Sequence, residues 1–136
     1  MLQLVTHRPG QQQPPFSFFI LSKGNNSGKP LDKPCPNCFV ASCSNEDERE
    51  FFYWLCWGLW QAKAFEHFLT GSVIPFLRKR ELQQILHKQT AGMHPEEWRQ
   101  AVVKARQLHE HETNVRKQLQ LLGQLKCAFI RSQLRL

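Results

Sequence analysis

Residues 45–60 read NEDEREFFYWLCWGLW, and the fold turns on this stretch. Asn45 is a good helix N-cap, because its side-chain oxygen can accept from the first free backbone amides. Glu46, Asp47 and Glu48 then sit at the positive end of the helix dipole, and Glu48 follows the cap by three residues, as in a capping box. Phe51, Phe52, Trp54, Leu55, Leu59, Phe65, Phe68 and Leu69 cover more than one face of the helix that follows. A helix apolar nearly all round is buried on several sides. The expected helix therefore runs from Asn45 to Leu69, where Gly71 stops it. Phe51 to Trp60 is also the longest uncharged apolar run of the chain, half of the about 20 residues that a membrane span needs. A transmembrane protein is excluded on that count.

Working outward, Phe16–Leu21 (FSFFIL) and Cys38–Cys43 (CFVASC) are short apolar runs bounded by turn formers, which suits buried strands. Ser22–Pro30 (SKGNNSGKP) and Pro34–Asn37 (PCPN) are the turns around them. Residues 1–15 read as a loop or a short edge element, since Gly10 to Pro15 resist regular structure. Val73–Leu77 (VIPFL) reads as a short buried strand or turn with Pro75 at an edge, and Arg78–Lys88 as a short basic helix. Thr90–His94 is a linker. From Pro95 to about Leu134 the pattern is one long helix. Pro95 suits its first turn, Glu96 and Glu97 follow there, and apolar residues recur at spacings of three and four. Trp98, Val102, Ala105, Leu108, Val115, Leu119, Leu122 and Phe129 are its candidate interface, a coiled-coil-like seam interrupted by Glu112 and Lys126.

The expected fold is α/β (α+β): a small sheet packed by an aromatic-rich helix, then a long projecting C-terminal helix. Residues 1–90 form the small module, and residues 91–136 form a helix for dimerisation or partner docking.

The chain has 136 residues and a formal charge of +7, and that charge is not evenly spread. Residues 1–70 carry as many acidic as basic side chains, so the whole excess lies in residues 71–136. A one-sided basic excess points to a polyanionic partner, nucleic acid first. Arg78, Lys79 and Arg80 are its densest cluster. The turn Gly24-Asn25-Asn26-Ser27-Gly28-Lys29-Pro30 looks like a phosphate loop but has three residues between its glycines, where a Walker loop has four, and Pro30 stands where Ser or Thr is needed. Nucleotide hydrolysis is rejected. A tight turn with exposed amides, Lys23, Asn25, Asn26 and Lys29 can still touch a nucleic-acid phosphate.

Five cysteines with no export signal read as reduced thiols in the cytoplasm. Cys35-Pro36-Asn37-Cys38 is a CxxC with Cys43 close behind, but structural zinc usually takes two such pairs. No zinc or other cofactor is expected. Asp occurs only at positions 32 and 47, neither near a histidine in sequence, and no nucleophile, base and orienter can be assembled. The chain reads as a non-enzyme.

The order of segments resembles the distal half of a target-recognition domain, with its long helix, in the specificity subunits of type I restriction–modification enzymes. The resemblance is carried by Ser22-Lys23-Gly24 to Gly28-Lys29, Glu50-Phe51-Phe52-Tyr53-Trp54-Leu55, Gly71-Ser72-Val73-Ile74-Pro75, Lys79-Arg80-Glu81-Leu82, Pro95 to Val103, and Leu125 to Ile130. Its most specific piece is the Gly-Ser-x-Ile-Pro segment with the basic, leucine-containing stretch after it. The chain departs from that family in having about 20 residues before the glycine turn, Gln89 to His94 in place of a proline-rich segment, and one helix rather than a tandem pair. The resemblance implies a non-catalytic DNA-binding and assembly module of bacterial, mobile-element type, like a truncated specificity subunit. Its DNA contacts would be weak or non-specific, and its long helix would dock a second helix or a methyltransferase-like partner. Two alternatives remain open at this point: an adaptor that dimerises through the C-terminal helix without touching DNA, and a small zinc-stabilised protein.

Overall fold

A computed structural model describes residues 2–135; Met1 and Leu136, the outer ends of the two expected domains, lie outside the described residues. The chain divides into two compact units, one ending at Met93 and the next beginning at His94.

The first unit is built on a four-stranded antiparallel sheet in the order β1-β4-β2-β3, with β1 at Gln3–Thr6, β2 at Ser17–Leu21, β3 at Pro30–Leu31 and β4 at Cys38–Ser42. Phe18 and Leu4 both pair with Ala41, so Phe18, Ile20, Phe39 and Ala41 share a face with Leu4. All five are buried. The opposite face carries Phe19, Cys38 and Val40, with Leu31 and Cys35 packed against them and the His7 ring edge-on to Phe19 at 5.8 Å. Three consecutive buried residues in β2 mean that both faces of the sheet are covered, as the unbroken apolar run implied.

Helix α1, Glu46–Gln61, lies beside β2 and β3, and Phe18 meets Tyr53 edge to face at 5.5 Å. Its start is as expected: the Asn45 side chain accepts from the Glu48 amide at 2.8 Å. Arg49, 18% exposed, ties the helix to the sheet, its Nε donating to the Ser17 carbonyl at 2.9 Å while its other nitrogens meet Asp32 at 3.3 Å and Glu50 at 3.1 Å. Helix α2, Lys79–Ala91, buries Leu82, Ile85 and Leu86 along one stripe and packs beside β1.

The structure corrects the expected boundaries at several points. α1 does not run to Leu69 and Gly71 does not stop it. It ends at Gln61, because Lys63 adopts φ 59° and the amides of Lys63 and Ala64 bond back to the carbonyls of Trp60 and Leu59. That 5→2 and 6→1 pair is a Schellman motif, with Lys where glycine is usual. A short 3₁₀ turn, Glu66–Phe68, follows, and Phe65 enters the core while Phe68 stays 43% exposed. The Val73–Leu77 segment is not a buried strand: Val73 is 90% exposed and Ile74 63%, and only Leu77 is buried. Phe76 makes single bridges to Thr70 and Lys23. Of the two readings of residues 1–15, the structure shows the short edge element, a strand at Gln3–Thr6; Pro30–Leu31 is a strand at the end of the expected turn, and Thr90 belongs to α2.

The second unit is one helix, α3, Pro95–Gln133, with Pro95 in its first turn and Glu96 and Glu97 beside it, as the sequence predicted. The fold is thus α+β: a small sheet, helices beside it and a long C-terminal helix.

Candidate nucleic-acid interface

The glycine turn joins β2 to β3. Gly24, Gly28 and Gly71 sit at φ of 94°, 98° and 105°, a region that side chains with a Cβ rarely adopt. The turn is closed by its own backbone: the Gly28 amide donates to the Leu21 carbonyl at 2.7 Å, Leu21 to Lys29 at 3.0 Å and Lys29 to Asn26 at 3.0 Å. Ser27, 2% exposed, donates its hydroxyl to the Gly24 carbonyl at 2.6 Å. These bonds hold the turn rigid and leave Asn25 and Asn26 exposed at its tip.

The same turn is stitched to the segment before α2. The Gly24 amide donates to the Pro75 carbonyl at 2.7 Å, and Leu77 donates to Ser22 at 2.8 Å. Lys23 therefore stands opposite Phe76. The Arg78 guanidinium lies 6.0 Å from the centre of the Phe76 ring. Two clusters more than fifty residues apart in sequence, Lys23–Asn26 and Arg78–Arg80, thus become neighbours, and Lys23, Arg78, Lys79 and Arg80 are all exposed. Arg78 is also the N-cap of α2, and its side chain caps nothing. Lys79 and Arg80 occupy the first turn, where a cation is disfavoured by the helix dipole by about 0.3–1 kcal/mol. An anion at this position would relieve both the crowded cations and the uncapped helix end.

Lys29 is placed differently from expectation. It is half-buried, with its ammonium 5.0 Å from the centre of the Trp60 ring. That cation–π contact draws it toward α1 rather than to the turn's outer edge. The structure adds two residues that the sequence did not single out, Trp60 and Lys63, which line a small hollow with Asn25, Asn26 and Phe65. Their link to the turn depends on where α1 ends, and no local motif in the sequence marks that point.

No cysteine of the described residues is disulfide-bonded. Cys38 donates its thiol to the Cys35 carbonyl at 3.1 Å, closing the CxxC as a turn. Burial raises the Cys38 thiol above its ordinary range, lifts Cys43 to about 11, and pushes the fully buried Cys56 up as well. At neutral pH these sulfurs are protonated, and the thiolate is the form that attacks or binds metal. Among the described residues no three His, Cys, Asp or Glu side chains converge as a metal site. Among the described residues no helix is long and apolar enough to cross a membrane.

The α3 candidates form a surface of their own. Trp98, Val102 and Ala105 are half-buried, whereas Leu108, Val115, Leu119, Leu122 and Phe129 are 47–70% exposed.

A family model described as "Family of unknown function (DUF6943)" matches residues 4–132, and the chain belongs to that family. No curated protein and no solved structure matches the chain.

Proposed function

We propose that this member of a family of unknown function is a non-catalytic DNA-binding and assembly module that works in the cytoplasm, in the manner of a truncated type I specificity subunit. One observation carries the reading: the hydrogen bonds from Gly24 to Pro75 and from Leu77 to Ser22, which set the glycine turn beside the Arg78-Lys79-Arg80 start of α2. Lys23, Arg78, Lys79 and Arg80 then contact backbone phosphates, while Asn25 and Asn26 reach sugar or base edges from the rigid turn. Phosphate contacts position a protein and base contacts specify a sequence. With two short amides at the tip, the balance favours weak, largely sequence-independent binding. The free thiols suit a reducing compartment.

The test is fluorescence anisotropy of a labelled duplex across a salt series. Affinity in the micromolar range, falling steeply with salt, is expected. The triple variant Arg78→Ala/Lys79→Ala/Arg80→Ala should bind more weakly and flatten the log–log slope by up to about 0.9 for each phosphate that is no longer neutralised. Equal binding by wild type and triple variant would place the DNA surface elsewhere on the chain. Absence of binding by both would remove the DNA reading.

A further inference from the structure

We infer that the first unit carries, between β1 and α2, a binding groove for an amphipathic carboxylic acid with an extended apolar chain, whose carboxylate is held by Arg80. A cavity of about 580 Å³ opens there. That volume falls within the range of about 300–1,000 Å³ typical of small-molecule sites. Its walls differ in kind. Leu2 and Leu4 from the β1 end, Phe52 from α1 and Leu86 from α2 give an apolar floor. Leu4 is 6% exposed and Leu86 3%, so this floor is recessed below the open surface. Every polar residue of the lining comes from α2: Arg80, Gln83, Gln84, His87 and Thr90. Their spacings of three and four place them along one stripe of that helix. Thr90 adds no free donor, because its hydroxyl is spent on the Leu86 and His87 carbonyls, each at 3.0 Å. The donors are therefore densest at the Arg80 end, where the Gln83 and Gln84 amides lie one turn on.

Charge and shape select the ligand. Among the described residues no carboxylate lines the groove, and Arg80 is its one permanent charge. A guanidinium binds a carboxylate through two parallel hydrogen bonds. Arg80 also stands in the first turn of α2, at the positive end of the helix dipole, which favours an anion there. From Arg80 to Thr90 the lining extends about 15 Å along α2. A cavity drawn out in this way suits an extended chain better than a compact ring. Free phosphate would use Arg80 and leave the apolar floor wet. A nucleotide would press polar atoms against Leu2, Leu4 and Phe52 without partners, which is costly. An acid with one charged end and an apolar body satisfies both walls. Arg80 belongs as well to the basic surface proposed for DNA, but the groove and its test do not rest on that reading.

The experiment is an amide NMR titration of the full chain, without DNA, using decanoate below its micelle concentration. Saturable shifts are expected at β1, around Phe52 and along α2. Octanoate should bind about ten-fold more weakly, because two buried methylenes are lost. Decanol, which has the chain without the charge, should bind at least ten-fold more weakly than decanoate. Arg80→Gln should weaken decanoate about ten-fold and leave decanol unchanged, and His87→Gln should change neither by more than two-fold. Leu2→Ser should weaken decanoate and decanol alike, with near-UV circular dichroism confirming that the variants stay folded. Absence of saturable shifts overturns the site. Shifts spread equally over the exposed apolar residues of α3 also overturn it, since they mark detergent-like adsorption. Decanol binding as tightly as decanoate overturns the recognition of an acid. Loss on His87→Gln with none on Arg80→Gln overturns the placement of the carboxylate. None of these readouts depends on whether the chain binds DNA.

Discussion

Gly24 and Gly28 have nearly the same backbone conformation, φ 94° and 98°, but different surroundings, which makes them a matched pair. A Cβ built on Gly24 meets nothing within 4 Å. A Cβ on Gly28 would overlap the ring of Phe65, with Cε2 at 2.5 Å and Cγ at 2.6 Å. Phe65 is 2% exposed, so moving its ring disturbs the residues packed around it. Alanine at either position suffers the positive-φ penalty, about 1–2 kcal/mol, offset by up to about 1 kcal/mol because the unfolded chain loses freedom. Gly28→Ala alone adds the overlap. If the core yields, overpacking costs about 1–3 kcal/mol. If Phe65 is expelled instead, losing its burial costs about 1.5–3 kcal/mol. Gly24→Ala should therefore lose about 1 kcal/mol, and Gly28→Ala about 2–4 kcal/mol. Urea titration read by near-UV circular dichroism follows the aromatic core without the large far-UV signal of α3. With a urea slope of about 2 kcal/mol per molar, the two midpoints should differ by about 1 M. Equal midpoints for the two variants would refute the close approach of Phe65 to the turn.

Two further predictions concern single positions. Lys63→Gly should stabilise the first unit by about 1 kcal/mol in the same urea assay, since glycine adopts the left-handed C′ conformation without a Cβ penalty; a loss of stability would show that the Schellman closure is not what ends α1. The raised thiols of Cys43 and Cys56 predict alkaline sensitivity. Burial favours the neutral form in the folded state, so this stability is complete below pH 9 and is lost as pH rises toward 11. Melting temperatures should fall across that window, and Cys43→Ala/Cys56→Ala should flatten the fall; parallel curves for variant and wild type would assign the loss to other groups.

The part of this protein that local physics controls is legible along the chain. Asn45 and the acids after it mark where α1 begins, because a cap and a dipole act within one turn. The buried strands β2 and β4 follow from unbroken apolar runs between turn formers, and α3 follows from a spacing of three and four sustained from Trp98 to Phe129. Gly24 and Gly28 announce a turn that needs positive φ. Pairing and packing between remote segments settled the rest. β1 has only four residues, two of them apolar, and is fixed as a strand because the edge of β4 offers it hydrogen bonds. α1 ends at Gln61 and is closed by a left-handed lysine, Lys63, with no glycine or asparagine to signal it, because the chain must turn there to seat Phe65 against Gly28. Lys29, one of the turn's cations, is drawn onto Trp60, while Lys23 is carried to the side of Arg78 by bonds between segments remote in sequence. Spacing along the chain reveals what a residue does to its own helix or turn; which charges share a surface depends on pairings across the fold, and those are set by burial and backbone hydrogen bonding over long range.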